Sequence, residues 1–309
     1  MDTLVQQIIN GLVLGSLYAL VALGYTMVYG IINLINFAHG EVLMVGAMIC
    51  WSVMGLFSDH LPALAPAWGL AVGLIAAALV CAVLNVGIEK LAYRPLRNAP
   101  KLAPLITAIG VSILLQTLAM IIFKPDYKSF PNPLPTEPMA VMGAVISPTQ
   151  VMILITTACL LLILMFIIHQ TRLGRAMRAT SENEQMASLM GIRPDRVISA
   201  TFAIGAVLAS VAGVMWAANF GTVHHSMGFL PGLKAFTAAV LGGIGNLPGA
   251  VVGGLCLGLI ESIGSGYLGP WSGGILGSQY SDIFAFLVLI GMLTLRPSGL
   301  LGERVAQRA

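Results

Sequence analysis

The stretch "NLINFAHGE" brings together Asn33, Asn36, His39 and Glu41. An imidazole near a carboxylate can hold or pass a proton, and two carboxamides can bind a polar solute. The surroundings make this set unusual. "LVLGSLYALVALGYTMVYGII" precedes it and "VLMVGAMICWSVMGLF" follows it. Ionisable groups between apolar runs are costly and mark proton relays or solute pathways when they lie at membrane depth. Two placements avoid the cost. Residues 33–41 can form a turn at the membrane surface, with Gly40 serving the bend, or a break that lines a pathway at depth. A third use is contact with a partner chain.

A second stretch with chemical potential is "GGIGNLPG", with Gly242, Gly243, Gly245, Asn246 and Gly249. Such a break presents backbone amides and a helix N-terminus to an anionic group, and short Gly/Pro-interrupted apolar segments point to transport sites. The competing reading is close helix packing, because Gly245, Gly249 and Gly253, and also Gly254 and Gly258, recur at i+4. Lys234 and Glu261 bracket this region and suit an ion pair or interfacial snorkelling more than a proton relay. Gly11 and Gly15 offer a close-packing face suited to a subunit interface.

The elements that position these groups follow from composition. The chain is 58% hydrophobic and 9% charged, against about 25% charged in soluble domains. So few charges cannot solvate a surface in water, and long apolar runs make the chain an all-α polytopic membrane protein rather than a β-barrel of alternating segments. Helices are expected near residues 4–31, 42–57, 66–88, 102–123, 150–170, 197–219 and 281–296. With a Gly-rich broken or re-entrant element near 233–262, this amounts to about eight membrane segments. The absence of a basic N-terminal region and the length of the first apolar run argue against a cleavable signal peptide. The basic residues beside helices report orientation and no nucleic-acid partner. Cys50, Cys81, Cys159 and Cys256 lie in apolar runs without metal-ligand spacing and read as packing residues. No metal or other cofactor is expected, and His224 and His225 alone make a poor metal site.

Basic residues cluster in the loops 89–101 and 171–196 and in the tail, with Arg296, Arg304 and Arg308; only Lys124, Lys128 and Lys234 fall elsewhere. These regions belong in the cytoplasm by the positive-inside rule. The proline-rich "KPDYKSFPNPLPTEP", residues 220–231 and the N-terminus then lie outside. Parity requires 233–262 to enter and leave by one face, as two half-helices or two full crossings. "NFAHGEVLMVGA" and "GNLPGAVVGGL" hint at two related halves.

The loop 171–196 carries its own helix signals. Ser181 and Glu184 fit a capping box, with a helix from Glu182 to about Met190. Met186, Leu189 and Met190 share one face, Gly191 fits the C′ position, and Pro194 blocks continuation. So short a helix needs something to dock on. No phosphate-binding loop, H-E-x-x-H or G-x-S-x-G is present, so an energised transporter of this kind would borrow its ATPase.

This loop loosely resembles the coupling loop of ABC-importer permeases through Glu182, Ala187 and Gly191. A more specific resemblance runs along nearly the whole chain, through "GYTMVYGIINLINFAHGE", "EKLAYRPLR", "MASLMGI", "KAFTAAVLGGIGNLPGAVVGG" and "RPSGLLG" in order. These resemble LivH-type permease subunits of the high-affinity branched-chain amino acid ABC transporter family. The resemblance implies a single transmembrane permease domain over 1–309, with 171–196 as a cytoplasmic coupling loop. It implies a second, LivM-like permease subunit, two ATP-binding cassette subunits, a periplasmic amino-acid-binding protein, and location in a bacterial inner membrane. The coupling residues are then Ser181, Glu182, Glu184, Met186, Ala187, Leu189, Met190 and Gly191. Related permeases carry urea, short amides or other amino acids. An ion-coupled secondary transporter using His39 or Glu41 is the other transport reading, and a membrane enzyme has no recognisable catalytic constellation.

Overall fold

The computed structural model describes residues 2–60, 66–97, 99–100, 102–131, 137–141, 143–271, 280–296 and 298–302. Lys101, the middle of the proline-rich loop, and Arg304 and Arg308 of the tail lie outside them. The chain is a helical bundle. Its helices are α1 (Asp2–Ile32), α2 (His39–His60), α3 (Pro66–Ile88), α4 (Leu102–Phe123), α5 (Pro148–Gln170), α6 (Arg172–Glu182), α7 (Glu184–Leu189), α8 (Pro194–Phe220), α9 (Phe229–Gly242), α10 (Leu247–Trp271) and α11 (Ser281–Leu295). Seven of them, α1 to α5, α8 and α10, are long and apolar enough to cross a membrane, and α9 and α11 are shorter apolar helices.

The expected segments are present, with three changes. Helix α2 starts at His39, inside the polar cluster. Helix α3 continues past its expected end as a π-helical turn, Glu89–Tyr93, and a 3-10 turn, Arg94–Leu96, where a loop was expected. The Gly-rich region is broken as expected, between Gly242 and Leu247, but into unequal parts and not into two half-helices or two full crossings. It is the short α9 of 14 residues followed by the full-length α10 of 25. At 1.5 Å per residue, α9 covers roughly 21 Å and falls short of a hydrocarbon core of about 30 Å.

The two ends of the bundle differ. At one end β1 (Lys128–Ser129) pairs with β4 (Thr222–Val223), and β2 (Met139–Val141) pairs with β3 (Ala144–Ile146), both antiparallel. The Gln6 side chain bonds both the N–H and the carbonyl of Val145, which ties the start of α1 to that hairpin. Ser147, Pro148 and Gln150 form a complete capping box that starts α5. The opposite end gathers Glu89–Leu96, α6, α7 and the start of α8, and carries the arginines. We call these the proline-loop end and the basic end.

Helix α1 is the axis, in contact with α2, α5, α8, α9 and α10. Lipid is as apolar as leucine, so helices in a bilayer associate through close packing and polar contacts. Glycine supplies the packing. A Cβ on Gly11 would stand 2.9 Å from the Leu259 Cα, and one on Gly15 would stand 2.7 Å from the Leu255 Cα. Across the seam Gly254 and Gly258 meet Ala19 and Gly15. The Gly11/Gly15 face therefore packs on α10 of the same chain and is not a subunit interface as expected. Helices α2 and α8 approach in the same way, Gly46 on Ser210 and Gly213 on the Leu43 carbonyl. By contrast only 28%, 22% and 17% of the most apolar windows of α3, α4 and α5 are buried, so these helices form the outer layer. Val83, Ile106 and Leu162 point outward from it.

Gly258→Leu should therefore destabilise the folded chain by at least the roughly 1–3 kcal/mol of a methylene-scale overpacking. Gly87→Leu, at a site where a Cβ meets open space, should have little effect. Thermal melting of the purified protein in detergent compares the two.

Candidate functional site

Helix α1 stops because Asn33 takes a left-handed conformation at φ 51 and donates its N–H to the Tyr29 carbonyl at 2.8 Å. Asparagine tolerates this geometry better than most residues with a side chain. The chain then folds back along α1. Asn36 is buried; its Oδ1 accepts from the Tyr93 hydroxyl at 2.8 Å, and its carbonyl accepts the His39 N–H at 3.0 Å. At His39 the second helix begins.

His39 is 0% exposed. Its ring lies edge-on to Tyr25, with centroids 4.8 Å apart, and against Gly24, where any Cβ would collide with Nε2. Gly24 is eight residues before the end of α1, roughly 12 Å along its axis. The surface turn therefore consists of Asn33 and its neighbours, while His39 and Glu41 are inside the protein. Among the described residues, neither His39 ring nitrogen finds a hydrogen bond of ordinary geometry. Gly40 lets the start of α2 touch the backbone at Gly228 and Gly232, where α9 begins. Glu41 is 1% exposed, and its Oε1 accepts from Gln116 Nε2 at 2.7 Å and Ser112 Oγ at 3.2 Å. Among the described residues no cation pairs with it.

Ser112 and Gln116 also face a cleft of about 610 Å³ between α1, α4 and the start of α9, a size that suits a small metabolite. Tyr25, Ser112, Gln116 and Ser226 are its polar points. Ile109, Ile113, Phe229 and Leu233 are among its apolar walls. Its rim is open, with Ile113 58% and Phe229 49% exposed. Apolar walls with a few neutral hydrogen-bonding groups and one carboxylate behind them can bind and pass a small amphipathic solute. Among the described residues lining it, none form a nucleophile–base pair.

A smaller cavity of about 230 Å³ adjoins the cleft through Ser226 and Leu230. Lys234 is on its wall, buried and held by Glu261 and Asp282, each at 2.6 Å. The Tyr18 hydroxyl donates to the other Glu261 oxygen at 2.9 Å. Lys234 and Glu261 thus form the expected ion pair, extended by an aspartate and a tyrosine. His224 also lines this cavity, and burial and then the neighbouring His225 hold its imidazole below the usual histidine range.

The Gly242–Gly249 turn lies elsewhere. Gly243 and Gly245 have φ of 108 and 94, which disfavour any side chain. Gly242 packs on the Gly249 backbone. Asn246 accepts the Gly249 N–H at 3.1 Å and donates to the Leu301 carbonyl at 2.7 Å. Leu300 and Leu301 donate to the Leu241 and Gly242 carbonyls. These residues join α9, α10 and residues 298–302 at the basic end and are not among those lining the cleft.

At the basic end the capping expectation needs correcting. Helix α6 runs through Ser181 and Glu182, and the Ser181 hydroxyl donates back to the Arg178 carbonyl at 2.8 Å. Asn183, extended at φ −159, caps α7 by accepting the Met186 N–H at 2.9 Å. Asparagine is a strong N-cap residue, and a serine already inside a helix cannot start the next one. The C-terminal expectation matches: Gly191 has φ 84, and the Ile192 N–H reaches the Ala187 carbonyl at 3.1 Å. Ala187 points inward at 4% exposure, while Met186, Leu189 and Met190 are 61%, 81% and 84% exposed.

Tyr93, Arg97, Ser112 and Gln116 were not among the site residues expected from the sequence. A signal existed for two of them: Ser112 and Gln116 are polar and four apart in an apolar helix, so they share a face.

The family described as "Branched-chain amino acid transport system / permease component" matches residues 7–293. The high-affinity branched-chain amino acid transport system permease protein BraD of Pseudomonas aeruginosa is 44% identical over 308 residues, covering 96% of this chain and 95% of its own. LivH of Escherichia coli K12, named likewise as a permease protein, is 43% identical over 305 residues with the same coverages. A probable branched-chain amino acid transport permease of Methanocaldococcus jannaschii is 28% identical over 302 residues, covering 95% of this chain and 91% of its own.

The capping geometry yields a test. Asn183→Ala should cost α7 about 1 kcal/mol of cap stabilisation, and Ser181→Ala should leave α7 intact. Hydrogen exchange at the 186–190 amides should speed up in the first variant only.

Proposed function

Since the chain belongs to the branched-chain amino acid transport permease family, it is a membrane subunit of an ATP-binding-cassette transporter and not an enzyme, and we propose that its cleft forms one wall of the substrate pathway. The observation that carries this reading is the polar patch of Ser112 and Gln116, backed by Glu41, in an otherwise apolar cleft. A leucine, isoleucine or valine side chain suits the wall of Ile109, Ile113 and Leu233. The ammonium and carboxylate suit Tyr25, Ser112, Gln116 and Ser226. A long apolar wall favours a branched aliphatic solute over urea or a short amide. The Gly242–Gly249 turn then serves the pathway indirectly, by setting the far end of α9.

In this reading the basic end is cytoplasmic, and the N-terminus and proline-loop end face the periplasm of a bacterial plasma membrane, where a binding protein delivers the substrate. A LivM-like permease subunit closes the open flank at Ile113 and Phe229. Two ATPase subunits serve the pair. One docks on α7, whose Met186, Leu189 and Met190 are uncovered in this chain while Ala187 anchors the helix. Three neighbouring apolar side chains on a surface helix suit a hydrophobic partner groove.

Two outcomes test this with the assembled transporter in proteoliposomes. Ser112→Trp should fill the cleft and lower ATP-dependent leucine uptake by about tenfold or more, a loss of roughly 1.4 kcal/mol in the transport barrier. The ATPase subunits should still co-purify. Met190→Asp should place a charge in the docking contact and weaken ATPase co-purification by about tenfold. Uptake unchanged by Ser112→Trp would move the pathway away from this cleft.

A further inference from the structure

The basic end contains a group of charges that ties α7 to the rest of the bundle. Arg97 is the hub. Its guanidinium reaches Glu89 at 2.5 Å, Asp195 at 2.7 Å and Glu184 at 3.5 Å. These carboxylates belong to three elements: the π turn after α3, the start of α8, and α7. Glu89 is 0% exposed, and its second oxygen accepts from Ser199 of α8 at 2.7 Å. Arg94 adds a contact to Asp195 at 2.5 Å. Only a planar, forked cation can serve several carboxylates in such directions, whereas a lysine ammonium is a single point of charge.

The same segment faces the bundle interior through Tyr93. Glu89–Tyr93 and Arg94–Leu96 are continuous helical turns, with the Arg94 N–H on the Glu89 carbonyl, so Arg97 and Tyr93 ride on one short stiff piece. π-helical turns are rare and occur often at functional sites. The Tyr93 ring is 1% exposed and lies tilted against Phe202 with centroids 5.6 Å apart. Its hydroxyl holds Asn36 at 2.8 Å. Asn36 in turn accepts the first N–H of α2, at His39. Two residues on, Glu41 holds the two polar groups of the cleft wall on α4.

The geometry points to Arg97 and Tyr93 as positioning residues that transmit movement of α7 to the start of α2, and so to the polar wall of the cleft, along Glu184, Arg97, Tyr93, Asn36, Glu41 and Gln116. This rests on the reading of α7 as the ATPase docking helix. Each step is a direct hydrogen bond or ion pair, or a rigid turn between two of them. A displacement of α7 pulls on Arg97 through Glu184. The turn moves as a body, and Tyr93 carries the shift to the segment that starts α2. Arg97 and Tyr93 do not line the cleft, and Arg97 meets α7 through Glu184 and not through the exposed Met186, Leu189 and Met190, so their effect falls on coupling between the two sites.

A double-mutant cycle measures the energetic coupling along this chain of contacts. The assembled transporter in proteoliposomes, supplied with binding protein, labelled leucine and ATP, gives leucine imported per ATP hydrolysed, with ATPase co-purification as the docking readout. Tyr93→Phe removes one hydroxyl, and Arg97→Lys keeps the charge but not the fork. Each should lower leucine per ATP by about threefold or more, with the ATPases still bound. Glu184→Gln should lower the ratio as well, and the Tyr93→Phe/Glu184→Gln double variant should be no worse than its poorer parent. A wild-type ratio in both Tyr93→Phe and Arg97→Lys would overturn the relay, as would a double variant falling to the product of its parents. Full ATPase retention by Met190→Asp would instead remove the docking reading, and the relay with it.

Discussion

Backbone-to-backbone approach at glycine is the constraint on which this structure rests. Helix α1 has neighbours on nearly every side, and it accommodates them because Gly11, Gly15 and Gly24 leave room where side chains would collide. In lipid no apolar surface is hidden from water by bringing helices together, so the gain comes from contact itself. At Gly11 and Gly15 that contact is with α10. At Gly24 it is with the imidazole of His39, which allows α2 to begin beside α1 some eight residues before that helix ends. Gly40 then meets Gly228 and Gly232, which brings the start of α9 to the same place. The start of α2, the start of α9 and one face of α4 thus converge around a cleft.

Once α2 begins inside the protein, its polar residues must be accommodated there. Glu41 is supported by Ser112 and Gln116, and Asn36 by Tyr93. The accommodation is incomplete: among the described residues, Asn36 Nδ2 and Glu41 Oε2 are buried without a hydrogen-bond partner, and neither His39 nitrogen has one of ordinary geometry. Buried polar groups of this kind are infrequent and are found at functional sites or where a water is held. Near the cleft's other wall the Lys234, Glu261 and Asp282 cluster ties α9 to α10 and α11. Such a buried group contributes little net stability, but it holds α9, and with it Phe229 and Leu233, in one position against the bundle.

The basic end works by different forces. Its charges sit near water, where an isolated ion pair is worth little, but Arg97 joins several carboxylates, one of them fully buried. That network locates α7, a helix of six residues that is too short to be stable alone. It does so while leaving Met186, Leu189 and Met190 uncovered, an arrangement suited to receiving a partner.

Much of this was legible in the sequence. Low charge and long apolar runs determined an all-α membrane fold. Arginine placement separated the two ends, and Gly191 marked the end of α7, since a left-handed residue after a helix is nearly a glycine signature. The ordered motifs pointed to the family to which the chain belongs. Other features were not legible, because they depend on groups far apart in the chain. That Gly11 and Gly15 pack on α10 depends on residues some 240 positions away, and no local pattern separates an internal seam from a subunit interface. The choice between Ser181 and Asn183 as the cap was decided by where α6 ends. The polar cluster shows the division most clearly. Its composition declared that it could not face lipid. Whether it was a surface turn or an interior start was decided by the space at Gly24, the hydroxyl of Tyr93 and the amide of Gln116, which only the folded chain brings to it.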